Sequence, residues 1–209
     1  MSILSGSTDQ KTIYLFNRVI TNEDLFGELR DYRELIAGKL YAMLTAKRRS
    51  QLLKYPAPVI GVHIRRGDFK LGNQTTPLNY FINTINLIRQ TVNENLPVTI
   101  FTDADKHELS ELFQLPGIFI AQEKPDILDI LLLSKSKIIV LSRSSTFGYW
   151  AAFLSDALVI RSTNDWQEKI STKNKNYIDI KWELNDTDST LSFTQALTKV
   201  CCYNINHAS

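Results

Sequence analysis

The chain has little cysteine, little histidine and no long apolar run. Its two cysteines, Cys201 and Cys202, are adjacent near the C-terminus. Sequence neighbours rarely meet disulfide geometry, so no internal bridge is expected and both read as small apolar packing groups. The three histidines, His63, His107 and His207, do not have zinc-ligand spacing, and no metal is expected. Neither charge predominates: 24 Lys+Arg against 22 Asp+Glu leaves a net +2. That balance argues for neither a nucleic-acid partner nor an anionic membrane. The most apolar stretch, Ile127–Leu141, is interrupted by Asp129, Lys135 and Lys137, so it reads as a core segment and no membrane span is expected. The first residues, MSILSGSTDQK, lack a basic region followed by an apolar one, so no secretory leader is expected and the chain reads as cytoplasmic. Neither GxGxxG nor GxxxxGK(S/T) occurs, which removes the dinucleotide fingerprint and the P-loop.

What is present is an ordinary globular composition, 209 residues with 44 % hydrophobic and 22 % charged. It suffices for one large core and excludes collagen, coiled-coil and disordered classes. Three segments differ in pattern. Residues 1–58 hold a polar tail, a strand-like run at Thr12–Phe16, and one long helical stripe through Leu25, Phe26, Leu29, Tyr32, Ile36, Leu40, Met43 and Leu44. Thr21 or Asn22 would cap that helix, and Lys47-Arg48-Arg49 would close it in favourable alignment with the helix dipole. Pro56 and Pro58 mark a boundary. Residues 59–162 alternate: strands at 59–64, 98–102, 118–121, 138–141 and 157–160, and helices at 78–92, 106–113, 127–133 and 147–154. This predicts an α/β fold, a Rossmann-like open parallel sheet with helices on both faces. Residues 163–209 are less regular, with one helix near 191–201 packing back on the sheet. The domains expected are an N-terminal helical segment, 1–58, and a sheet domain, 59–209.

The polar residues gather at the strand ends. His63, Arg65, Arg66 and Asp68 end the first strand, and Thr102, Asp103 and Asp105 end the second. Asp126 and Asp129 open the helix after the third, and Ser142, Arg143, Ser144, Ser145 and Thr146 follow the fourth. Ligands of open parallel sheets bind beyond the carboxyl ends of the strands, so these groups converge on one edge. Arg65 offers a guanidinium fork to phosphate oxygens. The Ser144-Ser145-Thr146 run precedes a helix, whose N-terminal N–H groups favour an anion. Carboxylates such as Asp103 or Asp129 suit base N–H groups or ribose hydroxyls. The chemistry fits a nucleoside diphosphate.

The run VIGVHIRRGDF, Val59–Phe69, closely resembles the first motif of the α1,2- and α1,6-fucosyltransferases and the protein O-fucosyltransferases. LDILLLSKSKIIVLSRSSTFGYWAAFL, Leu128–Leu154, resembles their later motif, and Phe101-Thr102-Asp103 the segment between. The resemblance covers about half the chain and implies the GDP-fucose-binding lobe of an inverting, metal-independent GT-B glycosyltransferase, with a glycan as acceptor. It implies that His63 and Asp129 contact the guanine side, Arg65 the diphosphate, and Ser144 and Ser145 the phosphates. Arg66, Asp68, Asp103 and Thr146 follow as further substrate contacts, with Asp68 nearest by position for a general base. The family carries a full acceptor lobe before the first motif, whereas 58 residues precede it here. A truncated enzyme, a donor domain that borrows its acceptor site, as by pairing two chains into a homo-oligomer, and a member without activity all stay open.

Plainer readings apply to several residues. Asp126, behind Pro125, reads as a helix N-cap. Tyr149 and Trp150 read as core rather than stacking platforms, and Arg66-Gly67-Asp68 as no adhesion signal. Two rivals stand beside the fucosyltransferase reading: a non-catalytic nucleotide-binding module, and a glycosyltransferase using another nucleotide sugar.

Overall fold

The computed structural model describes residues 24–122, 125–165, 170 and 178–205. The run at 12–16, Thr21, Asn22 and His207 lie outside the described residues, as do the side chains of Cys201 and Cys202.

Short runs of β-branched and apolar residues form the sheet. The strands are β1 (Ile60–Ile64), β2 (Val98–Thr102), β3 (Ile118–Ile120), β4 (Ile138–Leu141), β5 (Leu158–Ser162) and β6 (Ile178–Trp182). All pairings are parallel, in the order β3-β2-β1-β4-β5-β6. Strands β1, β4 and β5 are buried along their whole length, as a parallel sheet covered on both faces requires. Along β1, Ile60, Val62 and Ile64 enter one core layer, which Tyr80, Phe81, Ile85 and Ile88 of α3 (Leu78–Val92) and Phe193 and Leu197 of α6 (Thr187–Ile205) complete. The opposite layer is built by Leu128, Leu131 and Leu132 of α4 (Asp126–Leu133), Tyr149, Ala152 and Phe153 of α5 (Thr146–Phe153), and Ile139 and Leu141 of β4. Phe26, Leu44 and Leu52 from the N-terminal part join this second layer, and Phe26 stacks on Phe153 at 4.5 Å.

Gly61 lets α4 approach the sheet. A Cβ at this position would lie 2.3 Å from Ser136 Oγ and 2.6 Å from Leu133 Cδ1.

Four expectations need correction. The single long helix is broken into a 3-10 turn (Arg30–Tyr32), α1 (Arg33–Met43) and α2 (Ala46–Leu53). Leu44 turns extended to bury its side chain, and Thr45 caps α2 by accepting the Arg48 N–H at 3.3 Å. Lys47, Arg48 and Arg49 therefore occupy the first turn of α2, where the helix dipole disfavours cations. The region 106–113 is two 3-10 turns, Lys106–Leu109 and Leu112–Gln114, the first held by a capping box between Asp105 and Glu108. Asp126 is not an N-cap: Pro125 is already the extended residue before the helix, and Asp126 is the first helical position. Finally, the irregular C-terminal region contains β6, whose charges interrupt the apolar pattern because Asp179 pairs with the buried Arg161.

Candidate functional site

In the order β3-β2-β1-β4-β5-β6 the succession of strands across the sheet reverses between β1 and β4, and an open α/β sheet leaves a crevice there. The loop after β1 carries Arg65, Arg66 and Asp68, and the turn after β4 carries Arg143–Thr146. The two loops are tied together. The Arg65 N–H donates to Ser142 Oγ at 2.8 Å, and the Arg143 N–H donates to Thr76 Oγ1 at 2.8 Å.

The Arg65 guanidinium is held by two carboxylates. Its terminal nitrogens lie 2.8 Å from Asp68 and 2.8 Å from Asp103, and its charge sits 5.7 Å from the Phe69 ring centroid. Asp103 also accepts the Arg66 N–H at 2.7 Å. Gly67 is needed beside it, since a Cβ there would lie 2.5 Å from Asp103 Oδ2. Asp103 thus organises the arginine loop from the end of β2.

His63 points to the α5 face. It is buried, and its ring stacks on Phe147 at 5.1 Å. Its Nδ1 meets no hydrogen-bond partner among the described residues. Burial lowers its pKa to about 4, with Asp103 opposing and Arg65 assisting, so the imidazole is neutral near pH 7. Asp129 lies one turn into α4, half-buried, with Oδ1 shielded from solvent. Ser145 is the buried N-cap residue of α5, and Thr146 is the exposed first helical residue.

Ser144 adopts a left-handed conformation, φ 59°, uncommon for a residue with a Cβ. Its N–H donates to the Tyr149 hydroxyl at 2.9 Å, which in turn donates to Asp165. Burial foremost, and then the Asp165 carboxylate, push the Tyr149 pKa well above the ordinary phenol value, so this hydroxyl keeps its proton. Asp165 lies 3.5 Å from Arg161, which pairs with Asp179 through two 2.8 Å bonds. The Ser144 N–H is therefore committed to the fold, and the turn presents its hydroxyl and the first N–H groups of α5 instead.

A cleft of about 510 Å³ opens at this edge, lined by Leu25, Phe69, Gln74, Arg143, Ser144, Thr146 and Asn164. Of the residues expected to bind substrate, Ser144 and Thr146 line it directly. Arg65, Arg66, Asp68 and Asp103 form a cluster next to Phe69 of its lining, while His63, Ser145 and Asp129 are not among its lining residues. Sequence reasoning did not single out Arg143 or Asn164 as ligand groups, nor the Tyr149–Asp165 pair. The strand-end position of Arg143 was a usable signal; Asp165 follows β5 in the same way. Elsewhere, ligand atoms of Asp105, His107 and Glu108 fall within 4.8 Å of one another at the surface, but Glu108 is already bonded to Lys70 at 2.7 Å. Among the described residues, no helix is long and apolar enough to cross a membrane.

Among solved structures, the α-1,6-fucosyltransferase NodZ co-crystallized with GDP aligns at TM-score 0.41 and 20 % identity, over 58 % of this chain and 46 % of that one. The same enzyme soaked with GDP-fucose gives TM-score 0.41 and 19 % identity, over 60 % and 47 %. NodZ from Bradyrhizobium gives TM-score 0.41 and 20 % identity, over 58 % and 46 %. The aligned region is thus less than half the length of those chains. No curated protein matches the chain. The model of glycosyl transferase family 11 matches residues 9–184, and this span contains both strand-end loops, the cleft and the motifs that resemble fucosyltransferases. The chain belongs to glycosyl transferase family 11.

Proposed function

We propose that this glycosyltransferase takes GDP-fucose as its donor and moves fucose to a glycan hydroxyl with inversion and without a metal, its sheet domain serving as the donor lobe of a GT-B enzyme. The observation that carries the reading is the pair of fixed loops facing each other at the β1/β4 crevice. One presents the Arg65 guanidinium, and the other a hydroxyl-bearing turn at a helix start. Both are suited to a diphosphate leaving group, whose developing charge they would stabilise.

In this reading the acceptor oxygen bonds to the fucose anomeric carbon as the bond from that carbon to the GDP oxygen breaks. The acceptor proton passes to a carboxylate. Asp68 fills that role once phosphate has replaced it on Arg65, since its side chain is otherwise largely exposed. Asp129 and His63 are assigned to the guanine end.

A thermal-shift panel tests the donor. GDP should raise the melting temperature by mass action, and UDP and ADP should raise it less. Equal shifts from GDP and ADP would remove the guanine assignment, and a preference for UDP would indicate another sugar donor. A radiolabelled GDP-fucose assay with glycan acceptors, with and without chelator, then separates transfer from binding alone.

A further inference from the structure

The turn after β4 carries a cation without a counter-charge. Arg143 is half-buried and lines the 510 Å³ cleft. Among the described residues, no carboxylate lies within ion-pairing distance of its guanidinium. The other lining residues are Gln74, Ser144, Thr146 and Asn164, polar and uncharged, and Leu25 and Phe69, apolar. Among the described residues, the cleft wall is thus positive at one point and carries no negative charge, with neutral hydroxyl and amide groups around that point.

Arg65 is the opposite case. Both of its terminal nitrogens are already bonded to carboxylates at 2.8 Å. An anion arriving there exchanges one carboxylate contact for another of similar kind, whereas an anion at Arg143 meets a guanidinium whose donors are open. The root of Arg143 is also fixed from both sides. Its own N–H is bonded to Thr76 Oγ1 at 2.8 Å, and that of the next residue to the Tyr149 hydroxyl at 2.9 Å. A preorganised, uncompensated cation is what a diphosphate site needs, because little has to be broken or ordered when the ligand binds.

We propose that Arg143 is the primary diphosphate anchor of this cleft, ahead of Arg65, with the hydroxyls of Ser144 and Thr146 completing the contact. This rests on the reading of the cleft as the donor site, and it adds a ligand that the strand-end motifs do not assign.

Calorimetry on wild type, Arg143→Ala, Arg143→Lys and Arg65→Ala, with GDP, guanosine and inorganic pyrophosphate, tests it. Arg143→Ala should weaken both GDP and pyrophosphate by about tenfold or more, the scale of a lost charge-assisted contact, and leave guanosine unchanged. Arg65→Ala should cost less than Arg143→Ala, and Arg143→Lys should fall between Arg143→Ala and wild type, since charge returns without the fork. The Arg143→Ala melting temperature should match wild type, because no ion pair of the fold is removed. Wild-type affinity in Arg143→Ala, a larger loss in Arg65→Ala, or loss of guanosine together with GDP overturns the assignment. If wild type binds pyrophosphate through Arg143 but does not bind GDP, the anchor stands and the guanine reading falls. If it binds neither, both fall.

Discussion

The Tyr149 hydroxyl accepts the Ser144 N–H at 2.9 Å. Through this one bond the middle of α5 fixes the backbone of the turn that precedes it, and the hydroxyl's own proton goes to the buried Asp165. A residue that reads as ordinary core thus sets the shape of the candidate phosphate turn from below.

Replacing Tyr149 by Phe removes both bonds while nearly preserving the ring's packing. It leaves a buried carboxylate short of one donor, which costs about 1–3 kcal/mol. Urea unfolding should show a lower midpoint at an unchanged slope.

Arg161 is almost wholly buried between Asp179 and Asp165. Arg161→Met should be much more damaging, about 3–5 kcal/mol, because it leaves two carboxylates without their cation. A variant as stable as wild type would show that the buried network is incidental to the fold.

His63 makes stability fall in acid. Its folded-state pKa, about 4, lies below the ordinary 6.5, so the unfolded chain takes up the proton first. The contribution is complete above pH 6.5 and is lost as pH falls through about 4, at up to about 3 kcal/mol. His63→Phe should flatten the unfolding free energy over that interval when compared with wild type by denaturation at a series of pH values.

Gly61→Ala should be among the most destabilising single-methyl additions in the chain. The new Cβ would press on Ser136 Oγ and Leu133 Cδ1, forcing α4 away from β1 at a cost of about 1–3 kcal/mol. Calorimetric melting against the wild type reads this directly. Gly38→Ala on α1, where a Cβ would meet nothing within 4 Å, should melt no lower than wild type.

The sheet itself was legible in the sequence. A strand such as IIVL, buried on both faces, must be a continuous apolar run, and the punctuation by Pro97 and Pro116-Gly117 marks where β2 and β3 start, as Pro125 marks the start of α4. The gathering of Arg65, Asp103 and Ser144 at one edge followed from the same parallel arrangement. Local sequence could not show partnership. The stripe from Leu25 to Leu44 has helical spacing throughout, yet the chain breaks at Leu44 because burying that side chain in the α4/α5 layer outweighs one more helical turn. Strand β6 was hidden because Asp179 looks like a surface charge until Arg161, eighteen positions earlier, is placed against it. Likewise Arg65 and Arg143 are equivalent cations on paper. Which of them is neutralised depends on Asp103 arriving from β2 and Asp68 folding back. The sequence by itself determined the alternation of strand and helix and the edge where the polar groups collect, since both follow from residue type and period. Tertiary structure alone decided which charges cancel and which face the cleft, because pairing depends on distances between segments far apart in the chain.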